Sequence, residues 1–167
     1  MIQLKRAKDG DIPVIQEIAN ITWQPTYVPL LGQEQVDYML DKLYNKGALL
    51  EQLSEGHVFL IAELGMKPVA FASYSIIDHD NRVYKLHKIY VLPEAHGQGV
   101  GKLLMNEVVD QIRTAGARSL CLNVNRHNKA RAFYETAGFK IKETVDLDIG
   151  NGFYMNDYIM EMPISPA

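Results

Sequence analysis

The sequence predicts a mixed α/β fold, and three features of its 167 residues lead to that prediction. Apolar residues follow helical spacing in the first third of the chain and change to strand-like alternation near residue 58. Three strand patterns follow one another, and a helix, a strand and a second helix then extend to residue 137. The chain closes with two strand candidates around Gly150-Asn151-Gly152, which is a strong hairpin signal. No linker or internal repeat interrupts this order, so we expect a single domain spanning residues 1–167.

The first part of the chain predicts one short strand and three helices. Residues 2–5 alternate weakly, as a strand does, and Asp9 and Asp11 before Pro13 mark the start of a helix. Residues 22–29 contain two prolines and two large aromatic residues, which indicate a turn or an irregular lid. Two further helical faces follow, formed by Val36, Met39, Leu40 and Leu43 and then by Leu49, Leu50 and Leu53.

The second part predicts strands with two interspersed helices. Residues 58–63 and 69–76 are strand candidates that flank the turn residues 65–68, as in a hairpin. The remaining candidates are a strand at 82–91, a helix at 98–115, a strand at 119–124, a helix at 128–137, and strands at 139–149 and 153–162.

Composition argues against several classes of protein. A hydrophobic content of 47% and a charged content of 22% are typical of a folded globular chain. The net charge of −3 gives no support for nucleic-acid binding, and no apolar stretch approaches the length of a membrane span. The single cysteine, Cys121, cannot form an internal disulfide, which is consistent with a cytoplasmic protein. It lies in an apolar run, which predicts a buried thiol. The five histidines show no metal-ligand spacing, so we expect no metal site.

The most informative segment is 89–104, where a strand pattern leads into glycines 97, 99 and 101 and then into an amphipathic helix. The first N–H groups of a helix have no partner inside the helix. Glycines allow an anion to approach those groups closely, and the helix dipole favours the negative charge. The segment therefore predicts a phosphate cradle.

Two common phosphate-binding motifs do not fit this segment. A P-loop needs a hydroxyl residue after its lysine, but Leu103 follows Lys102, and the first glycine of that motif is missing. A dinucleotide-binding fingerprint needs a third glycine, and Lys102 or Leu104 stands in its place. A nucleotide phosphotransferase that uses this segment would also need a magnesium site, for which the sequence offers no residues.

The segment instead resembles motif A of the GCN5-related N-acetyltransferase superfamily, Gln/Arg-x-x-Gly-x-Gly/Ala, which receives the pyrophosphate of acetyl-coenzyme A. Gly99 and Gly101 match its two small positions, and His96 stands where the motif has Gln or Arg. The family contacts the pyrophosphate mainly through backbone N–H groups, so His96 weakens the match only slightly. The resemblance implies that acetyl-CoA is bound by His96, Gly97, Gln98, Gly99, Val100, Gly101 and Lys102.

A second segment, 128–139, resembles the family block Asn-x-x-Ala-x-x-Phe-Tyr-x-x-x-Gly-Phe. Independently of the resemblance, Asn128 is a good helix N-cap and Gly138 can end the helix in the left-handed conformation. The resemblance implies that Tyr134 points to the thioester sulfur and that Asn128 contacts the pantetheine arm. Taken alone, Phe133 and Tyr134 could simply pack a short helix, but two motifs at this separation favour an acetyltransferase.

The order of the predicted elements is also the order of the acetyltransferase fold, a splayed, mostly antiparallel central sheet flanked by helices. The resemblance implies that the pantetheine arm lies between strands 83–91 and 119–124 and bonds to their backbone, as an added strand would. We therefore expect further cofactor contacts at Ile89, Tyr90 and Val91, with Asn123 on the other strand. Asn123 could equally be a solvent-facing residue at the end of its strand.

Acetyl transfer to an amine needs a neutral nucleophile, a donor for the oxyanion and a proton for the leaving thiolate. Tyr134 is the candidate acid because a phenol stays protonated at neutral pH. The resemblance implies that the N–H of Val91 is the oxyanion donor. His87, four residues earlier, is the candidate base, although it could also be a hydrogen-bonded strand residue.

The resemblance implies that the early helices and the last hairpin line the acceptor pocket. The nature of the acceptor is therefore predicted from the residues of these segments. Segments 148–153 and 156–161 resemble bacterial PaiA-type spermidine/spermine acetyltransferases, and acidic residues there favour a polycationic amine. Peptide amino termini, amino sugars and aminoglycosides stay open as acceptors, as does a CoA-binding module without catalysis. The resemblance also makes a homodimer plausible. The candidate pocket residues are Trp23, Tyr27, Met39, Tyr44, Asp148, Tyr154 and Asp157.

Overall fold

Seven strands and five helices follow one another in the predicted order. The structure is a computed structural model that describes residues 1–167. Two short 3-10 turns, Asp9–Asp11 and Pro93–Ala95, are also present. The strands and helices are, in chain order, β1 (Ile2–Arg6), α1 (Ile12–Leu31), α2 (Gln33–Tyr44), α3 (Lys46–Ser54), β2 (Val58–Leu64), β3 (Lys67–Asp78), β4 (Val83–Val91), α4 (Val100–Thr114), β5 (Ser119–Asn125), α5 (Ala130–Ala137), β6 (Lys140–Gly150) and β7 (Phe153–Pro163).

The strands form one mostly antiparallel sheet in the order β1-β2-β3-β4-β5-β7-β6, so the predicted fold class is confirmed. Both predicted hairpins are present. Gly65 and Met66 form the first turn at φ +58° and +70°, and Asn151 and Gly152 form the second at φ +54° and +77°. Two consecutive residues with positive φ match the right-handed twist of the paired strands, which is why glycine and asparagine occur there.

The parallel pairing of β4 with β5 is short. It covers three positions, from Val83 opposite Ser119 to Lys85 opposite Cys121, after which β4 continues to Val91 and β5 to Asn125. On its other edge β5 pairs with β7 over seven positions. The short pairing agrees with the splayed strands that the acetyltransferase resemblance implies.

The chain divides into two compact units, Met1–Ser75 with Leu86–Gln111 and Ile76–Lys85 with Ile112–Ala167. The buried side chains of the first unit include Ile15 and Leu49 from the helices and Phe59, Ile61 and Phe71 from the strands. In the second unit the fully buried large side chains are Ile112, Leu120, Leu122, Phe139 and Met160. No helix is long and apolar enough to cross a membrane.

The predicted turn or lid at residues 22–29 is wrong, because α1 continues through this segment to Leu31. A proline inside a helix removes a hydrogen bond and costs about 3 kcal/mol, and α1 contains Pro25 and Pro29. Packing opposes that cost: Trp23 is buried, with its ring 4.6 Å from the Tyr27 ring and 5.8 Å from the Tyr44 ring. Tertiary contacts of the aromatic residues therefore outweigh the local proline signal.

Candidate active site

The glycine segment of the first unit has the geometry of an anion cradle. Gly97 and Gly99 both have φ +78°, a conformation that other residues rarely adopt, and a Cβ on either would meet no atom within 4 Å. The first helical bond of α4 runs from the N–H of Leu103 to the carbonyl of Gly99, at 3.0 Å. The N–H groups of residues 100–102 precede this bond, so they can serve an anion at the helix N-terminus.

Two side chains of this segment stabilise the loop itself. His96 is exposed, and its Nε2 donates to the backbone carbonyl of Val91 at 2.9 Å, because a carbonyl can only accept. Gln98 donates to the carbonyl of Glu94 at 3.2 Å. The His96 ring thus ties the cradle to the end of β4, and the anion-binding capacity of the segment lies in its backbone.

Tyr90, the residue before Val91, belongs to an aromatic cluster. We define this aromatic cluster as Trp23, Tyr27, Tyr44, Phe71 and Tyr90. The hydroxyls of Tyr27 and Tyr90 are 3.0 Å apart, and the Trp23 and Tyr90 rings are 6.0 Å apart. Trp23 Nε1 and the Tyr44 hydroxyl are buried without a hydrogen-bond partner. Burial, reinforced by nearby Tyr27, holds the pKa of Tyr44 well above its usual value, and proximity to Trp23 opposes this only weakly.

Trp23, Tyr27 and Tyr44 of this cluster are predicted residues of the acceptor pocket, Tyr90 is a predicted cofactor contact, and Phe71 was not singled out from the sequence. Phe71 and Tyr90 lie on β3 and β4, and their rings are 5.8 Å apart. Met39, also predicted for the pocket, is a buried residue whose sulfur is 3.9 Å from Gln35 Nε2.

His87 belongs to a polar cluster of two histidines and a serine. Its Nε2 is 2.7 Å from the Ser75 hydroxyl, and its ring is stacked on that of His57 with the centroids 4.3 Å apart. Burial lowers the pKa of His57, and the charge of Lys88 lowers it further. Position 57 adjoins the pairing of Val58 with Tyr74, so the hairpin register brings His57 close to Ser75.

In the second unit, Tyr134 is held on α5 by ring contacts. Its ring lies 5.5 Å from that of Phe133 and 6.0 Å from that of Phe139, both at nearly perpendicular angles. Gly138 ends α5 at φ +114°, as predicted, and the N–H of Phe139 bonds back to the carbonyl of Tyr134. The tyrosine is therefore fixed by the turn that follows it.

Asn128 lies just before α5, and the N-cap residue is Lys129 rather than the predicted Asn128. The Oδ1 of Asn128 accepts from the N–H of Ala130 at 2.9 Å, so its side chain stabilises the turn that leads into the helix. Counting back from Tyr134 through the family pattern reaches His127, so Asn128 stands one position later than the pattern's asparagine. The turn contact follows from the structure, whereas a contact with the pantetheine arm stays a prediction.

Asp157 on β7 is a buried carboxylate, only 3% exposed. The pairing of β5 with β7 places it opposite Asn125, and its Oδ2 is 3.5 Å from Asn123 Nδ2, while its Oδ1 has no partner. Burial raises the pKa of Asp157, and the Asn123 contact and the charges of Lys85 and Arg126 oppose the increase. A buried carboxylate with an unpaired oxygen is suited to bind a cation.

The remaining residues singled out from the sequence are exposed, half exposed or buried, and each has a different role in the structure. Asp148 is exposed and accepts from the N–H of Gly150 at 2.9 Å, so it stabilises the last turn. Tyr154 is half exposed on the same hairpin. Cys121 is buried, and burial raises the pKa of its thiol, as expected of an unreactive cysteine. No group of three or more His, Cys, Asp or Glu side chains is arranged to hold a metal ion.

With this geometry in place, comparison with known proteins assigns the chain to a class. The model of the acetyltransferase (GNAT) family matches residues 15–139, and the chain belongs to this family. An uncharacterised N-acetyltransferase of Mycobacterium tuberculosis is 30% identical over 152 residues, covering 90% of this chain and 96% of the relative. Spermidine N(1)-acetyltransferase of Thermoplasma acidophilum is 25% identical over 149 residues, covering 86% and 91%.

Solved structures agree with this assignment. The PaiA N-acetyltransferase of Thermoplasma acidophilum in complex with coenzyme A has a TM-score of 0.84 at 25% identity, covering 98% of this chain and 99% of that one. YncA of Salmonella typhimurium with acetyl-CoA has the same fold, with a TM-score of 0.71 at 18% identity and coverage of 100% and 96%. The protein is an acetyl-CoA-dependent N-acetyltransferase, and its backbone cradle fits the pyrophosphate of that cosubstrate.

Proposed function

We propose that the enzyme acetylates a primary amine of a small molecule, with polycationic amines such as spermidine as its acceptors. The observation that carries this proposal is Asp157, a buried carboxylate whose Oδ1 has no partner. An ammonium group can satisfy that oxygen, and a polyamine has a second ammonium to offer while another nitrogen reacts. The similarity to a spermidine acetyltransferase supports the same acceptor class.

The cosubstrate side of the proposed reaction rests on backbone groups. The N–H groups at the start of α4 bind the pyrophosphate, and the edge of β4 at Ile89, Tyr90 and Val91 binds the pantetheine arm together with Asn123 and Asn128. When bound, acetyl-CoA supplies the activated acetyl group. The N–H of Val91 then donates to the oxygen that becomes negative as the amine attacks.

Three proton transfers complete the proposed reaction, which is direct transfer in a ternary complex. His87 takes a proton from the acceptor ammonium, and the neutral nitrogen then attacks the thioester carbonyl. Tyr134 gives its proton to the departing thiolate, and the proton lost from the new amide nitrogen restores the phenol. Each turnover converts an ammonium and acetyl-CoA into an amide, free thiol and one released proton.

The residues proposed to contact the acceptor are of two kinds, aromatic and charged. Trp23 and Tyr27 of the aromatic cluster supply apolar and hydroxyl surface for the carbon chain of the amine. Tyr154 and Asp157 on the last hairpin supply a further ring and the carboxylate. Lys142 and Glu161 form an ion pair on the same hairpin at 3.1 Å, so Glu161 is already neutralised, whereas Asp157 retains an unpaired oxygen.

A peptide amino terminus is the alternative acceptor. The alanine N-acetyltransferase of ribosomal protein bS18 from Haemophilus influenzae is 36% identical over 69 residues, which cover 41% of this chain. A CoA-binding module without catalysis is the alternative that involves no transfer.

An acceptor screen tests the proposal. Purified enzyme and acetyl-CoA are incubated with spermidine, spermine, a monoamine of equal length, an amino sugar and an alanine-initiated peptide, and thiol release is recorded. We expect the highest kcat/KM for a polyamine. A preference for the peptide or the amino sugar would show that polyamines are not the acceptor class. Tight binding of acetyl-CoA without thiol release for any amine would mean that the protein binds the cofactor without catalysing transfer.

The proposal extends to a homodimer in the cytoplasm. The family resemblance supports the homodimer, and the use of acetyl-CoA supports the cytoplasmic location. Sedimentation equilibrium of the purified protein would measure the mass in solution, and a monomer at the concentrations used for assays would remove the dimer.

A further inference from the structure

Lys88 is the one charged residue of the first unit whose side chain is buried. It is 9% exposed, and Asp157 of the second unit is the other buried charged residue of the chain. The Nζ of Lys88 donates to Gln52 Oε1 at 2.7 Å. It also lies 5.3 Å from the centre of the Tyr44 ring and 5.5 Å from that of Phe59. The ammonium group is therefore fixed between α2, α3 and β2.

This fixed charge adjoins the stacked histidines. Lys88 follows His87 directly on β4, and the His57 ring lies parallel to that of His87 with an interplanar angle of 10°. Gln52 links the two groups, because its side chain accepts from Lys88 and its backbone carbonyl accepts from the N–H of His57 at 3.0 Å. The charge, the stack and the end of α3 thus form one cluster.

The electrostatics of this cluster oppose protonation of the His57 ring and simultaneous protonation of both rings. Burial lowers the pKa of His57, and the positive charge of Lys88 lowers it further. A proton on one ring of the stack also disfavours a proton on the other, because like charges about 4 Å apart repel strongly in a protein interior. The groups of Tyr44, Gln52 and Ser75, which face the cluster from α2, α3 and β3, are neutral hydroxyls and an amide.

We propose that Lys88 is a positioning residue whose fixed ammonium keeps the stacked rings of His57 and His87 uncharged, so that His87 stays able to accept the proton of the acceptor amine. The inference rests on the proposed role of His87 as the base. It adds two residues to the reaction, Lys88 as the source of the field and His57 as the ring through which that field acts on the pair.

Two variants remove the electrostatic effect of the Lys88 ammonium on the histidine rings in different ways. Lys88→Met keeps the length of the side chain and deletes its charge. Gln52→Glu keeps Lys88 and places a carboxylate against its ammonium, so it remains informative if the first variant fails to fold. Lys42→Met is the matched control, because Lys42 also lies over a tyrosine ring, 5.6 Å from that of Tyr38, but is exposed.

The first measurement is the titration of the histidine rings by NMR in the protein alone, with signals assigned from His57→Gln and His87→Gln. Both test variants should move the titration midpoints of His57 and His87 to higher pH, while those of His79, His96 and His127 stay unchanged. Lys42→Met should move none. Unchanged midpoints in both folded test variants would overturn the proposal.

The second measurement is kcat/KM for the amine as a function of pH. Because the test variants let the rings protonate more readily, their activity at about pH 6 should fall several-fold relative to about pH 8, beyond the fall of the wild type. Two amines of different basicity separate the titration of the enzyme from that of the acceptor. If the ring midpoints move but the rate profile does not, His87 is not the base, and the role of Lys88 in the reaction is withdrawn while acetyl transfer itself stands.

Discussion

The Tyr134 hydroxyl is the single group on which the proposed protonation of the thiolate depends. Tyr134→Phe keeps the perpendicular contacts of the ring with Phe133 and Phe139 and removes the proton. We expect kcat to fall by about 10²–10⁴-fold, the usual contribution of a positioned general acid, with little change in CoA affinity. Steady-state kinetics and calorimetry measure the two quantities, and near-normal turnover would assign the tyrosine to packing alone.

Asp157 makes the stability of the fold depend on pH. Its raised pKa means that the folded protein binds this proton more tightly than the unfolded chain does, so protonation stabilises the fold. The cost of the buried charge is therefore greatest above the folded pKa and disappears as pH falls to the ordinary value of 3.8. Asp157→Asn should unfold at a higher temperature than the wild type at about pH 8, and the difference should shrink towards about pH 4.

The same substitution should weaken acceptor binding. If Oδ1 of Asp157 holds an ammonium group, Asp157→Asn loses a charge-assisted hydrogen bond, and KM for spermidine should rise about tenfold. KM for a monoamine of equal length should change much less. Equal changes for both amines would mean that Asp157 does not contact the second ammonium group, and thermal unfolding of the same samples would show that the fold is intact.

How far single residues could be predicted depended on whether their role was local. The left-handed Gly138 was predictable because positive φ at a helix end is a local requirement. The role of Tyr134 rests on a motif and stays a prediction. The burial of Asp157 and the stacking of His57 on His87 were not predicted, since both depend on which strands pair and in which register.

At the scale of an element, the N-terminus of α4 carries the cofactor prediction. Gly101 lies inside the helix, whereas Gly99 has φ +78°, so Gly101→Val tests close approach of the anion without backbone strain. Valine is no worse than glycine in a helix. Its branched side chain should block the backbone N–H groups and weaken acetyl-CoA binding at least about tenfold, as measured by calorimetry.

A second glycine provides the control for this element. Gly10 lies in the 3-10 turn before α1, and a Cβ there meets no atom within 4 Å. Gly10→Val should therefore bind acetyl-CoA as the wild type does. Wild-type affinity in folded Gly101→Val would exclude the start of α4 as the pyrophosphate site.

Elements were predicted well where one periodicity dominated and poorly where two signals competed. The strands and α4 were found within about two residues, as expected for long periodic segments. The segment at 22–29 was misread because its prolines signal a break, whereas the burial of Trp23 among aromatic rings keeps it helical. The hydroxyl of Thr22, which donates to the carbonyl of Ile18 at 2.8 Å, adds a local bond just before Pro25.

At the scale of the whole molecule, the distribution of charge should govern how a cationic acceptor binds. The chain carries a net charge of −3, and Asp157 adds a carboxylate with an unpaired oxygen. Attraction between exposed charges is screened over about 8 Å at physiological ionic strength, while a buried carboxylate is screened less. KM for spermidine should therefore rise with salt, and part of its affinity should persist at about 1 M salt.

Asp157→Asn separates these two contributions to acceptor binding. The variant should lose the affinity that persists at high salt and keep the steep dependence at low salt, because the net charge of the protein still attracts the polyamine. The measurement is KM for spermidine from low salt to about 1 M salt in both proteins, with a neutral salt that does not bind CoA. A KM that is independent of salt in both proteins, together with a preference for a peptide amino terminus or an amino sugar, would remove polyamines as the acceptor class and leave N-acetyl transfer unaffected.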